Sequence, residues 1–434
     1  MARLGAFCFP GSGHINPMTA LCRALEDRGH SVVLFGIADV EARVRAAGIE
    51  FQQIGATDFP PGTLKTLDDR LGQLSGLAAF HFTVERVMNT GRMIFREGPA
   101  AILKAGVDAL LIDEADMSGT VADHLGIPFV SIAIVPPMNH DYRLPPFYFG
   151  WQPGKSSLAH FRNRMAMKLI TRLGRPVSKL VNDQRAAWGL KPFREINDAL
   201  SPIAQIAQMP EVLEFKSASR PDHLYFTGPW VNPSQRPSIA FPWDRLDGRP
   251  LVYASLGTLQ NGSEPVFRII AAACADLPVQ LVLSLGGGLT PEQLGPVAGD
   301  PIVVSFAPQL EILKCAQLVI THAGINTALE ALSEGVPLIA IPLGNDQPGV
   351  AARVAARGAG VVVPRRRLNR SRLRRAVERM LDDPGYRQQA QELGRILRQV
   401  DGPALAAELV ERSLHLAPAS KTAEAAGLAT SAPN

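Results

Sequence analysis

Two series of short apolar runs, each run followed by a helical or loop segment, restrict the fold of this chain more than any other feature of its sequence. The first series is LGAFCF (4–9), SVVLFGI (31–37), DALLI (108–112) and PFVSIA (128–133). The second is LVYASLG (251–257), VQLVLSLG (279–286), PIVVSF (301–306), QLVITH (317–322) and PLIAIPL (337–343). The runs are rich in Val, Ile and Leu and lack strict alternation, which is the pattern of strands buried on both faces of a parallel sheet. Helices must then cover both faces, so each series predicts a doubly wound α/β unit.

Between the series, WVNPSQRPSIAFPWDRLDGRP (230–250) is dense in proline and polar residues, the composition of a connector. The 434 residues also exceed the ~150 of a typical domain about threefold, which calls for more than one core. We place a first domain at 1–230, a linker at 231–248, and a second domain with C-terminal helices at 249–416. The small, polar tail 417–434 is expected to be disordered. Segments near 58–105 and 136–200 read as more helical, irregular insertions, and the aromatic, proline-rich PPFYFGW (145–151) suits a wall over a pocket.

Lys and Arg total 44 against 40 Asp and Glu, a formal charge of +4 that is too even for nucleic acid to be the main partner. Cys8, Cys22, Cys274 and Cys315 lie far apart, so neither a zinc site nor a disulfide framework is expected. The opening run meets Pro10 without a basic region or cleavage site, and no apolar run reaches the ~18 residues that span a bilayer. A cytoplasmic chain is expected. PRRRLNRSRLRR (364–375), with seven arginines from Arg365 to Arg375, reads either as a solvated helix face or as a transient contact with anionic lipid at the inner membrane face.

Ligands of open parallel sheets bind outside the carboxyl ends of the strands, which nominates His14, Asp113, Thr258, His322, Asn326, Glu330, Asp346 and Gln347. GSGHIN (11–16), with Asp39 beyond it, partly matches a dinucleotide fingerprint, but Asn16 stands where the third glycine belongs. A helix is expected to open at Asn16, leaving His14 in the loop as a proton acceptor or as a mere partner for backbone groups. In THAGINTALEALSEGVPLIAIPLGNDQ (321–347), a strand ends at His322, a turn follows at Ala323-Gly324, and a helix opens at Asn326 or Thr327. Its N-terminus suits a pyrophosphate, with His322, Asn326 and Thr327 as added donors and Glu330 facing ribose hydroxyls. Thr327-x-x-Glu330 is equally a capping box, and Asp346 a cap for a helix over 349–357.

The runs FAPQLEIL (306–313), HAGINTALEAL (322–332), GVP (335–337), Pro342 and Asp346-Gln347, with SLGT (255–258) and GHINP (13–17), resemble the signature of glycosyltransferase family 1. The pattern HAGINT and Phe306 point to a bacterial-type member of these nucleotide-sugar-dependent enzymes. The stretch 131–151 is locally similar to bacterial zeaxanthin glucosyltransferases. The resemblance implies a GT-B fold: two tandem Rossmann-like domains, the first binding acceptor, the second binding donor, with reaction in the inter-domain cleft.

It further implies that Phe306 stands where tryptophan stacks on the base, that Ala307 touches the base through its backbone, and that Gln309 lies near ribose or base. Thr258, His322, Asn326 and Thr327, with Gly324 in the turn, would hold the phosphates. Glu330 would hold the ribose, and Asp346 with Gln347 the sugar hydroxyls. His14 would deprotonate the acceptor for an inverting transfer, and Asp113, favoured over Asp116, would fix its tautomer. The implied donor is UDP-glucose, with a TDP-sugar as the alternative, and no metal is expected. The implied acceptor is a lipophilic alcohol: carotenoid, polyketide, phenolic or sterol-like. A sugar-nucleotide epimerase and a non-catalytic nucleotide-sugar-binding protein are the competing readings.

Overall fold

A computed structural model describes residues 1–417 apart from 75, 140, 234, 235, 237 and 259–262, so all of the expected disordered tail except Ala417 lies outside the described residues. Seven strands form the first sheet: β1 (Arg3–Phe7), β2 (Ser31–Gly36), β3 (Glu50–Gln53), β4 (Ala109–Asp113), β5 (Phe129–Ala133), β6 (Gln205–Ala207) and β7 (Leu224–Phe226). Their order is 3-2-1-4-5-6-7. Six form the second: β8 (Leu251–Ser255), β9 (Gln280–Ser284), β10 (Ile302–Val304), β11 (Ala316–Thr321), β12 (Leu338–Ala340) and β13 (Gly360–Val362), ordered 10-9-8-11-12-13.

Every pairing is parallel. Central strands such as β4, β5, β8 and β9 are buried at every position. That accounts for their unalternating apolar sequences, since both faces meet helices. These are the two doubly wound sheets of the GT-B fold.

The insertion at 58–105 is two helices, Thr63–Gln73 and Gly76–Ala105, that carry the chain from the β3 edge back to β4. Asp39, the residue that suggested a dinucleotide site, accepts from the backbone N–H of Gly62 and Leu64 and so anchors the start of the first of them. The aromatic segment 145–151 splits between roles. Pro145, Pro146, Phe147 and Tyr148 line a cavity of about 130 Å³. Trp151 instead stacks on Phe149 and under Arg162, which is packing.

The last helix, Gly402–Ser413, leaves the second sheet and returns to the first. Ala406, Ala407, Leu409 and Val410 share a core with Leu21, Leu25 and Ile132, and buried Glu411 accepts from Arg28 and pairs with His30. Of the arginines between 365 and 375, Arg370 and Arg374 pair with Asp276, and Arg374 also with Glu378, while Leu373 points into the core.

Candidate active site

Both sheets reverse their strand order at one place, between β1 and β4 and between β8 and β11. Such a switch point opens a crevice beyond the carboxyl ends of the strands, where ligands of doubly wound sheets bind. The two crevices face each other, because Ser12 Oγ lies 2.7 Å from Thr258 Oγ1 and Asn326 Nδ2 donates to the Gly13 carbonyl at 2.8 Å.

On the first sheet, the helix after β1 starts at Ser12, not at Asn16, with Gly11 as an extended N-cap. His14 therefore sits in the first helical turn. Asp113 is the last residue of β4, and because β4 lies beside β1, two residues 99 apart in sequence meet: His14 Nδ1 is 2.6 Å from Asp113 Oδ2. Asp113 is fully buried and also accepts from the backbone N–H of Phe9 and Ala115. A carboxylate only accepts, so Nδ1 donates and Nε2 keeps its lone pair free for the cleft.

Desolvation acts to lower the His14 pKa, but the charge and hydrogen bond of Asp113, helped by Asp346 across the cleft, outweigh it and raise the pKa above 6.5. Asp116, the competing carboxylate, accepts from Ser118 N–H and shapes the turn before the next helix.

On the second sheet, His322 follows β11 and lies between two glycines. A Cβ on Gly257 would stand 2.6 Å from the ring and one on Gly324 2.4 Å, and Gly257 also has φ +76°. Only glycines allow the two turns to close on this imidazole. Desolvation pushes the His322 pKa down to about 4, against a hydrogen bond to the Ser255 backbone, so the ring is neutral at physiological pH.

The following helix, Ile325–Ser333, opens one residue earlier than expected, with Gly324 as N-cap and no side-chain cap. The Thr327–Glu330 capping box does not form, and the positive end of the helix is left open to an anion. Asn326 is less free than the sequence suggested: besides its bond to Gly13, its Oδ1 accepts from Gln208 at 3.0 Å.

Glu330 is buried and turned to a network instead. Gln309 Nε2 donates to its Oε2 at 2.5 Å, Arg236 of the linker pairs with its Oε1, and Tyr253 donates to Gln309 Oε1. Thr327 Oγ1 lies 3.5 Å from Gln309. Burial pushes the Glu330 carboxyl up from its ordinary value, and Arg236 and Gln309 pull it back. Phe306 packs over Gly287 with half its surface exposed, and Ala307 beside it is buried.

Asp346 occupies the N-cap position of the Gln347–Ala356 helix but makes no side-chain cap bond, so its carboxylate is left to the cleft. Desolvation raises it to about 6, opposed by its own backbone and by His14. Gln347 uses Oε1 to hold the Leu343 and Gly344 N–H groups, which leaves its amide nitrogen to offer. No group of three or more potential metal ligands occurs among the described residues.

Sequence reasoning missed the residues that tie the halves together: Ser12, Gln208, Arg236, and the buried pair Glu214–Arg353. Arg353 of the Gln347–Ala356 helix donates through Nε and Nη2 to Glu214 Oε1 at 3.0 and 2.6 Å and lies over Phe215. Ser12 stands inside GSGHIN without a role assigned to it there, the others sit in no motif, and only the charge of Arg236 inside a proline-rich linker offered a signal.

Residues 247–404 match the family described as UDP-glucoronosyl and UDP-glucosyl transferase. The zeaxanthin glucosyltransferase of Pantoea ananas is 30% identical over 415 residues, covering 95% of this chain and 96% of that protein. The crystal structure of the glycotransferase of kitacinnamycin gives a TM-score of 0.74 at 23% identity, covering 95% of this chain and 98% of that one. The spinosyn rhamnosyltransferase complexed with thymidine diphosphate gives 0.69 at 19%, covering 95% and 100%. The two solved structures speak for the fold alone. The sequence relative extends the likeness along nearly the whole length of both chains, and with the two facing crevices in place the chain belongs to the UDP-glucoronosyl and UDP-glucosyl transferase family, as a sugar-nucleotide-dependent glycosyltransferase.

Proposed function

We propose that the chain moves glucose from UDP-glucose to a hydroxyl of a lipophilic small molecule, with inversion at the anomeric carbon. The observation that carries this reading is the 2.6 Å His14–Asp113 pair facing Asp346 across the cleft. The acceptor hydroxyl gives its proton to His14 Nε2 as its oxygen attacks the anomeric carbon. The bond to the diphosphate breaks with its electron pair leaving on the nucleotide. Asp113 holds the tautomer and stabilises the imidazolium.

Charge growing on the diphosphate meets the uncapped helix N-terminus at Gly324, the Thr258, Asn326 and Thr327 side chains and neutral His322, without a metal. Glu330 and Gln309 take the ribose, Phe306 and the Ala307 backbone take the base, and Asp346 with the Gln347 amide takes sugar hydroxyls. Residues 1–230 would bind acceptor and 249–416 donor, the last helix excepted because it packs on the first unit.

A carotenoid or similar alcohol is supported by the likeness to a zeaxanthin glucosyltransferase and by the cavity behind Phe147, with Pro137, Met138 and Leu144 in its walls. A TDP-sugar is the second reading, favoured by Phe306 in the base position and by the thymidine diphosphate in a structural neighbour. UDP-glucose and TDP-glucose, each given with a panel of lipophilic alcohols, separate these by chromatography of the products. Glucoside that requires both UDP-glucose and alcohol is expected. Product from TDP-glucose alone moves the donor, and a changed sugar released without any alcohol would mean an epimerase.

The pH profile gives a second test. His14 must be neutral to accept a proton, so kcat/KM should climb as pH rises through an apparent pKa above the ordinary 6.5. In Asp113→Asn the raising charge is gone and desolvation remains, so the limb should move to lower pH while the plateau falls. A limb that stays in place in the variant counts against the pair.

A further inference from the structure

The helix Ser157–Leu173 buries Asn163, Ala166 and Met167 on one face. The opposite face is apolar as well: Leu158, Phe161, Met165 and Leu169 are 76, 60, 47 and 50% exposed. Their spacing of i, i+3, i+7 and i+11 lines them along one side. A solvated helix face of a soluble protein is normally polar, and a continuous exposed stripe of this kind marks an interaction surface.

The charges around it name the partner. Residues 155–175 hold Lys155, Arg162, Arg164, Lys168, Arg172 and Arg175 and no Asp or Glu, in a chain that is otherwise nearly balanced. Arg162 packs over Trp151 at 4.4 Å and Arg164 lies at 5.9 Å from the Tyr142 ring, and Arg164, Lys168 and Arg172 are exposed beside the stripe. No helix among the described residues is long and apolar enough to cross a membrane. A short cationic helix with an exposed apolar side matches the pattern of one that lies in the headgroup boundary.

The arginine-rich segment 364–375 lacks this second element, since Leu373 is buried and Arg370 and Arg374 are paired. The stripe also borders an opening. Tyr142, Phe161 and Arg164 line a cleft of about 550 Å³ that shares Asp141 and Ser219 with the inner cavity behind Phe147.

We propose that the 157–173 helix docks on an anionic lipid surface, with Leu158, Phe161, Met165 and Leu169 at the acyl boundary and Arg164, Lys168 and Arg172 on the headgroups. Docking stands on the helix itself, whereas entry of a lipophilic acceptor through the adjoining cleft rests on the function proposed above.

Co-sedimentation of the whole chain with phosphatidylcholine vesicles, with and without phosphatidylglycerol, tests this without any sugar donor. Wild type should pellet with the anionic vesicles. Leu158→Ser with Phe161→Ser should weaken partitioning roughly tenfold or more, and Arg164→Gln with Lys168→Gln should remove the preference for phosphatidylglycerol. Arg365→Gln with Arg366→Gln should change nothing. Thermal melts matching wild type should show that all three fold, and because neither the melts nor the co-sedimentation needs turnover, failure of docking stays separate from failure of the transferase reading.

The proposal is overturned if wild type stays in the supernatant, or if the Leu158 and Phe161 changes leave binding intact. It is equally overturned if light scattering finds a dimer that those changes dissolve, because a second copy then covers the stripe.

Discussion

Replacing His14 by alanine is expected to lower kcat/KM for glycosyl transfer by roughly 10²–10⁴-fold, the usual contribution of a positioned general base, with little change in the KM for the nucleotide sugar. The effect is large because nothing nearby can take over. Asp113 is fully buried behind the imidazole and committed to two backbone N–H groups. Asp346 lies on the donor side of the cleft, at the N-cap of the helix that follows β12. The hydrogen bond of the His14 side chain goes to Asp113 and not to a group assigned to the base, ribose or phosphates, so donor affinity should survive its loss. Initial rates at varied donor and acceptor, with a thermal melt to confirm folding, decide the matter. Activity within tenfold of wild type would remove His14 from the reaction and leave the family and fold standing.

A second large effect belongs to stability. Arg353→Ala is expected to cost ~3–5 kcal/mol, because the change strands a buried carboxylate without its counter-ion. Glu214 follows β6 of the first unit, and its Oε2 already has no partner, so after the change its charge has only the Phe215 backbone N–H left on the other oxygen. The same arginine also holds the Gly349 carbonyl and covers Phe215, so the contact between the units loosens with it.

Glu214→Leu combined with Arg353→Met removes both charges together and should recover most of the loss, since the cost comes from the unpaired ion more than from the missing attraction. Urea unfolding of the three proteins is the measurement. An Arg353→Ala midpoint equal to that of wild type would show that water reaches Glu214 and that the pair does not join the units.

The fold was largely legible along the chain because buried parallel strands announce themselves through local composition. β1, β2, β4, β5, β8, β9, β10, β11 and β12 were all visible as runs rich in Val, Ile and Leu. The strands that escaped, β3, β6, β7 and β13, have three or four residues. A run so short has no period to detect unless, like the three-residue β10 and β12, it stands in a longer apolar stretch, and its conformation comes from the neighbour it pairs with. The start of the first helix failed for a related reason. Asn16 and Pro17 are good opening residues, but the chain turns helical at Ser12, where His14 is drawn against Asp113 of β4 and Gly13 receives Asn326 from the other unit. Tertiary contacts outweighed a capping preference worth about 1 kcal/mol.

For the site, the sequence by itself determined which side chains stand at strand ends and helix openings, His14, Asp113, His322 and Asp346, with Glu330 further along its helix, and these follow from local pattern and from the motif that contains them. It also determined the glycines at 257 and 324, whose missing Cβ atoms make room for His322. Only the tertiary structure decided the partners. That Glu330 faces Gln309 and a linker arginine and not its own helix cap, that Asn326 clamps the His14 turn, and that Glu214 meets Arg353 are pairings between residues 21 to 313 positions apart. Local composition reports the conformation a segment prefers. Which charges and hydrogen-bonding groups meet across a cleft depends on where two sheets place them, and buried polar groups accept whatever partner the packing brings within reach.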